Sequence, residues 1–258
     1  MIRLPYQAVL AETNCSLGKQ LDPEESRLLQ SGIIELVVSK DQKHLLIHAA
    51  LARSFPKKIL KPPLNSEIDE VVFGCCCEFV YIGDYSVPLP ISSPLKSEIP
   101  SHNIQLRWDP ASLTENIFHP DKLRSMYAAI SSQLGQELPC EEKVVNSDPR
   151  ANYVEIFLSH AKVYRVGFWT DWVFLYAWSL FRLLHLLANY TLFDERTGDI
   201  VQLLKFVFED SKYMENMQDI LRDYTVWNVE TLMQDTNFQQ LLDRIPPLEK
   251  AIFHSMWK

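Results

Sequence analysis

The sequence predicts a mixed fold in which a β-hairpin near the N-terminus is followed by a largely helical chain. Two runs rich in β-branched and aliphatic residues, "IIELVVS" and "HLLIHA", flank the turn-like "KDQK", a pattern typical of a hairpin. From residue 152 onwards, apolar residues recur at helical spacing. The first such stripe consists of Val154, Phe157, Leu158 and Ala161.

One helix is predicted before the hairpin and two are predicted after it. In "LDPEESRLLQSG", Asp22 is placed as the N-cap, Pro23 at the first helical position and Gly32 just past the end. The segment "ALARSFPKKIL" after the second strand is predicted to be a helix broken or kinked at Pro56. Val71–Tyr81 is apolar throughout and is predicted to be a buried helix.

The rest of the chain is predicted to hold further helices joined by polar connections. "PDKLRSMYAAISSQLG" places apolar residues on one face and ends at a glycine. The later helices are predicted at Asp171–Leu187, Gly198–Glu209, Glu215–Arg222, Val226–Met233 and Phe238–His254, the last interrupted at Pro246–Pro247.

The chain divides into four segments by pattern. Residues 1–20 are poorly patterned, and residues 21–86 contain the hairpin and the helices beside it. Residues 87–152 are predicted to be an insertion or linker with one helix, because the segment opens with four prolines and several serines. Those prolines are Pro88, Pro90, Pro94 and Pro100. Residues 153–258 form the helical C-terminal part.

Composition limits the function classes. Of the 258 residues, 47% are apolar and 22% charged, as in an ordinary globular protein. The formal net charge of −8 argues against nucleic acid or an anionic membrane as partner. The most membrane-like stretch, Val173–Ala188, carries Arg182 and His185 and is shorter than the ~20 residues of a membrane span. It is predicted to be a buried helix whose polar groups either reach the surface or are paired.

Glycine spacing excludes several nucleotide-binding and hydrolase motifs. The closest of the seven glycines, Gly74 and Gly83, are nine positions apart. The dinucleotide-binding, phosphate-loop and nucleophile-elbow motifs all need glycines closer together than that.

Five cysteines are present, namely Cys15, Cys75, Cys76, Cys77 and Cys140. An odd number without a secretory leader predicts reduced thiols in an intracellular protein of the cytoplasm or nucleus. Successive helical residues point ~100° apart, so the three adjacent cysteines cannot all bind one tetrahedral ion. A structural role as small buried residues is favoured, and a thiol-dependent enzyme is the alternative.

No cofactor or metal site is predicted from the other candidate residues. His44 and His48 lie on the predicted second strand, ~13 Å apart, too far to share one ion. His160 and His185 are isolated on helices and are interpreted as structural. A helical pocket for a small ligand is a further alternative, built from the aromatic residues Trp169, Trp172, Phe174, Tyr176 and Trp178.

Four short motifs in the same order resemble the BTB/POZ domain, in the subgroup common in fungal proteins. They are "IHAALARSF", "CEFVYIGDYSVP", "VEIFLSHAKVY" and "YTLFDERTGDIVQLLKFVFEDS". The resemblance covers Leu28–Pro88 and Val154–Ser211, with the stretch between them as an insertion. It implies an α+β fold, in which a small sheet with a hairpin is capped by helical hairpins and followed by a mostly helical C-terminal region.

The resemblance also implies a non-catalytic role. Such domains dimerise or recruit another protein, and some connect substrate receptors to cullin-type ubiquitin ligases. The candidate interaction residues taken from the matched motifs are Glu35, His48, Tyr81, Asp84, Tyr85, Phe168 and Trp169.

The chain departs from the family pattern at three places. Ala49 replaces the basic residue that usually follows the histidine, so the charged pocket associated with dimerisation is incomplete. Phe168 and Trp169 stand where an acid–base pair is usual. If the two side chains are exposed, they would form an apolar patch on the surface. If they are buried, they would change the packing of the helices. The family's strand before the cysteine-containing helix is weak here, because "LNSEIDEV" has little β-pattern.

Overall fold

In a computed structural model, the described residues are 30–38, 41–60, 68–91, 118–134, 146, 148–209 and 214–256. The strands are β1 (Ile33–Val38) and β2 (Lys43–His48). The helices are α1 (Ala49–Ala52), α2 (Glu70–Ile82), α3 (Pro120–Leu134), α4 (Val154–Trp169), α5 (Val173–Asn189), α6 (Thr197–Phe208), α7 (Glu215–Trp227), α8 (Val229–Leu232), α9 (Thr236–Arg244) and α10 (Pro246–Met256). The mixed α+β class, with a small antiparallel sheet and mostly helices, is therefore confirmed. The predicted helix at Asp22–Gly32 and the segment 1–20 lie outside the described residues, apart from the last residues of that helix.

The helix predicted over residues 50–60 is wrong. α1 ends at Ala52, and the chain continues through turns to Leu60. The ring of Pro56 would clash with the carbonyl of Ala52 in a continuous helix, and proline has no N–H to donate to it. The turns instead place Phe55 and Ile59 in the core, where they are 5% and 0% exposed.

Two helices near the C-terminus differ from their predicted bounds. α7 continues five residues past the predicted end at Arg222, because Tyr224 and Thr225 are buried and extend its apolar face. The next helix, α8, is correspondingly reduced to a single turn. The break at Pro246–Pro247 is confirmed: α9 ends at Arg244 and α10 begins at Pro246, where proline suits the first turn of a helix.

β1 and β2 form an antiparallel hairpin with a clear inside and outside. The register pairs Ile33 with His48 and Val38 with Lys43. Because successive side chains of a strand alternate between faces, Val38 and Ile47 point into the core and are 1% and 3% exposed. The opposite face of the hairpin carries the side chains that remain in contact with solvent.

α2 runs alongside β2 in the same direction. Lys43 forms an ion pair with Glu70 at one end (3.5 Å), and His48 contacts Tyr81 at the other. The two spans match in length: the five steps from Lys43 to His48 along the strand and the eleven steps from Glu70 to Tyr81 along the helix both cover about 16 Å. This match lets α2 contact β2 at both of its ends.

The helical half is built on the antiparallel pair α4 and α5. The short turn between them includes Trp172, whose ring lies 5.5 Å from that of Phe55 and 5.6 Å from that of Phe79. Trp172 therefore joins the hairpin half to the helical half. The helix of the 87–152 segment, α3, packs on α5 through Tyr127 and Phe181, whose ring centroids are 6.1 Å apart.

Near the ends of the insertion, the backbone of Ile91 pairs with that of Asn152 in an isolated β-bridge. Within the described residues, no helix is long and apolar enough to cross a bilayer.

Candidate functional site

The outer face of the hairpin is the first candidate site. We define the hairpin face as Ile33, Glu35, Val37, His44 and Leu46. Its three apolar members, Ile33, Val37 and Leu46, are 65%, 41% and 68% exposed. The two polar members are joined by a hydrogen bond of 2.7 Å between His44 Nδ1 and Glu35 Oε1. The result is an apolar surface with one polar pair.

Among the described residues, β1 pairs only with β2. The described sheet is therefore the two-stranded hairpin itself.

His48 and Tyr81 lie close together where β2 meets the end of α2. The Tyr81 hydroxyl accepts a hydrogen bond from the backbone N–H of His48 (3.2 Å) and lies 2.9 Å from its Nδ1. The two rings meet edge-on, with centroids 5.9 Å apart. This pair therefore fixes the position of the strand end relative to the helix.

The turn after α2 begins with a glycine that the backbone requires. Gly83 has φ 74° and ends α2, with its N–H bonded to the carbonyl of Phe79. This left-handed conformation is readily adopted by glycine and strained for most other residues. It directs Asp84 towards α5.

Asp84 binds α5 through a single carboxylate oxygen. Its Oδ1 accepts hydrogen bonds from Trp178 Nε1 (2.8 Å), from Arg182 Nη1 (2.9 Å) and from the backbone N–H of Tyr85 (2.8 Å). The Arg182 side chain is 10% exposed and that of Asp84 26%. The turn is therefore held by a largely desolvated ion pair.

Tyr85 lies beneath the same arginine. It is 2% exposed, and its hydroxyl is 2.7 Å from Nδ1 of His160 on α4. The Arg182 guanidinium lies 4.6 Å from the centre of the Tyr85 ring and donates a hydrogen bond to the Tyr85 carbonyl. We call Asp84, Tyr85, His160, Trp178 and Arg182 the turn lock.

The end of the turn is fixed from α2 itself. Glu78 Oε2 accepts a hydrogen bond from the backbone N–H of Ser86 (2.6 Å), and the Cys75 thiol donates to the Ser86 carbonyl (3.5 Å). The turn is thus held by α2, α4 and α5 together. The cysteine contact is structural.

The three adjacent cysteines are packed in the hydrophobic core or against it. Cys75 and Cys76 are 6% and 0% exposed. Burial, followed by the charge of Glu78, raises the pKa of both Cys75 and Cys77 to about 12. Burial also raises the pKa of Cys76. Because the thiolate is the reactive form, these side chains are poorly suited to thiol catalysis.

We predict that Cys75, Cys76 and Cys77 react slowly with a thiol reagent in the folded protein. The test uses a variant with Cys15→Ser and Cys140→Ser, so that only these three thiols contribute. At pH 8 native labelling should be at least about a hundredfold slower than in urea, where the thiol pKa returns to ~8.5. Native labelling should also accelerate with pH up to the onset of unfolding. One thiol labelled at the unfolded rate would contradict this.

No metal centre is formed in the described part of the chain, where no group of three or more histidine, cysteine or acidic side chains is close enough to bind an ion.

Phe168 and Trp169 have different surroundings. Phe168 is 37% exposed, and its ring lies 6.1 Å from the rings of Tyr164 and Tyr176. The Arg165 guanidinium lies 5.0 Å from the Trp169 ring and 4.7 Å from the ring of Phe206. Phe168 is thus an exposed ring packed on α5, whereas Trp169 supports the arginine that connects α4 to α6.

The structure divides the sequence-predicted interaction residues into four groups. Glu35 lies on the hairpin face, His48 and Tyr81 form the strand–helix contact, and Asp84 and Tyr85 belong to the turn lock. Phe168 and Trp169 lie at the end of α4. A side chain as buried as Tyr85 cannot contact a partner directly.

Sequence reasoning did not identify Trp178, Arg182 and His160 as partners of the turn. The available signal was an arginine inside an apolar helix, which predicts a paired charge. Its partner lies 98 positions away, beyond the reach of local pattern.

The aromatic residues considered for a ligand pocket are dispersed. Trp172 packs against Phe55 and Phe79, Trp178 donates to Asp84, and Tyr176 lies against Gly167. They therefore serve separate packing contacts.

A comparison of the chain with protein-family models, curated proteins and solved structures finds no significant match.

Proposed function

We propose that this chain is a non-catalytic protein–protein interaction module of the BTB/POZ type. The observation that carries the proposal is the hairpin face, which presents three exposed apolar side chains on one side of the hairpin. Exposed apolar groups on one small surface are typical of a contact site. The order of hairpin, α2 and the glycine–aspartate–tyrosine turn agrees with the motifs that suggested the family.

The architecture suits a binding surface that keeps its shape. α2 contacts the hairpin at both ends of β2, and the turn lock fixes the end of α2 to α4 and α5. A rigid surface loses little conformational entropy when a partner binds, which favours affinity. The turn lock therefore has a supporting role, and the hairpin face makes the contact.

The proposed partner is a protein: a second copy of the chain or a cullin-type scaffold of a ubiquitin ligase. The raised thiol pKa values of the cysteine triplet disfavour the thiol-enzyme alternative. The role of adaptor follows if the cullin-type scaffold is bound.

Two measurements on the purified chain test the proposal. Size-exclusion chromatography with light scattering should show a dimer that dissociates on dilution, or titration with a purified cullin N-terminal region should give saturable binding. Either result supports an interaction module and distinguishes its two forms. A strictly monomeric chain that also fails to bind the cullin fragment would contradict the proposal.

A further inference from the structure

A groove lies between α6 and α9, away from the hairpin and the turn lock. Its volume is about 300 Å³, at the lower end of the range for ligand sites. The two helices run in parallel, because Thr197 contacts Asp235 near their N-terminal ends and Glu209 contacts Arg244 at their C-terminal ends. These two contacts mark the two ends of the groove.

Among the described residues, no carboxylate lines the groove. The lining residues are Gly198, Val201, Gln202, Lys205, Asn237, Gln240 and Arg244. Of these, Gln202, Lys205 and Gln240 are exposed and make no side-chain hydrogen bond or ion pair within the described residues. Side-chain amides supply both donors and acceptors, and lysine supplies donors with a positive charge.

The two ends of the groove differ in charge. At one end, burial opposes ionisation of Asp235, but hydrogen bonds from Thr197 and from the backbone N–H groups of Asn237 and Phe238 outweigh it and lower its pKa. At the other end lie Lys205 and Arg244, and Arg244 Nε donates a hydrogen bond to Glu209. Two cations and one carboxylate leave this end with a net charge of +1, which suits one anionic group.

We propose that this groove binds a short acidic peptide segment in extended conformation, with one carboxylate at Lys205 and Arg244. The amides of Gln202 and Gln240, on opposite walls, match the alternating N–H and C=O groups of a peptide backbone. From Gly198 to Lys205 the groove is about 10 Å long, enough for about three extended residues. This surface is separate from the hairpin face, so the proposal stands independently of the proposed function.

Gly198 provides a way to block the groove without disturbing the helices. A Cβ atom added at Gly198 meets nothing within 4 Å, and glycine is an unfavourable residue in a helix interior. Gly198→Leu should therefore fill the groove while the thermal stability of the protein is unchanged or raised.

The test is fluorescence anisotropy with a labelled octapeptide of alternating serine and glutamate, compared with the same peptide carrying glutamine. We expect saturable binding of the glutamate peptide only. Lys205→Glu should weaken it by about tenfold or more, since a charge-assisted hydrogen bond is replaced by repulsion. Gly198→Leu should also abolish binding.

The matched control is Lys250→Glu, which changes net charge equally at an exposed lysine of α10 outside the groove. It should weaken binding by less than about twofold at physiological salt. Absence of saturable binding, equal binding of the glutamine peptide, or equal losses in the two lysine variants would overturn the proposal. A Leu46→Lys variant should bind the peptide normally, which separates this site from the hairpin face.

Discussion

Replacing Asp84 with alanine is expected to lower the free energy of unfolding by about 3 kcal/mol, because it leaves a buried guanidinium without its carboxylate. Arg182 is held at 2.9 Å from Asp84 and is only 10% exposed, so water can replace the lost partner poorly. Trp178 loses its acceptor in the same variant. Urea denaturation at pH 7, followed by tryptophan fluorescence, measures the effect.

A double-mutant cycle isolates the ion pair from the rest of the turn lock. Arg182→Met removes the charge but keeps an unbranched side chain of comparable length, and we combine it with Asp84→Asn. The double variant should be less destabilised than the sum of the single variants by about 1–3 kcal/mol. Purely additive losses would show that the pair makes no specific contribution.

The exposed pair Asp121 and Arg124 on α3 provides the control. Its N–O distance is also 2.9 Å, but the aspartate side chain is 95% exposed and the arginine 44%. Asp121→Ala should therefore change stability by less than about 1 kcal/mol. If Asp84→Ala and Asp121→Ala have equal effects, the buried turn lock does not hold the turn as described.

The second large effect is expected at Gly167, where α4 approaches α5 most closely. A Cβ atom at this position would lie 2.8 Å from the backbone nitrogen of Tyr176 and 3.1 Å from its Cα. Backbone atoms cannot move aside as a flexible side chain can, so the two helices must separate. Gly167→Ala should lower the free energy of unfolding by about 2 kcal/mol or more.

Alanine at other helical glycines should change the free energy of unfolding in the opposite direction. Cβ atoms added at Gly74 and Gly198 meet nothing within 4 Å. Alanine there should stabilise the protein by up to about 1 kcal/mol through its helix propensity. Thermal unfolding of the three variants side by side gives the comparison. A stabilising Gly167→Ala would mean that α4 and α5 are packed less closely than the structure shows.

Local pattern was sufficient to predict the hairpin and most helices. The observed strands fall within one residue of the runs "IIELVVS" and "HLLIHA" at each end. α2 matches the predicted Val71–Tyr81 within one residue at each end. In these segments periodicity, caps and turn residues all favour the same structure, so the sequence is locally unambiguous.

Prediction failed where a local rule competes with tertiary packing. The segment after β2 has residues compatible with a helix, but burial of Phe55 and Ile59 together with Pro56 stabilises turns instead. α7 extends beyond its predicted end because Tyr224 finds a buried position beside the ring of Phe118, 5.2 Å away. Neither contact is visible from a window of neighbouring residues.

The candidate surface was predicted only in part. Strand alternation indicates which hairpin side chains share a face, and it places Glu35 on the same face as Val37. It does not show which face the core covers, because both faces carry apolar residues. In the structure the core covers the side of Val38 and Ile47, which are 1% and 3% exposed.

The central claim is that the hairpin face makes the contact with a protein partner. The most direct measurement is the effect of Leu46→Lys on dimerisation or on cullin binding, whichever the wild-type protein shows. Phe253→Lys is the control, because Phe253 is also exposed (54%) but lies on α10. Leu46→Lys should weaken association at least about tenfold and Phe253→Lys should leave it unchanged. Unchanged association in Leu46→Lys, or an equal loss in both variants, would contradict the account.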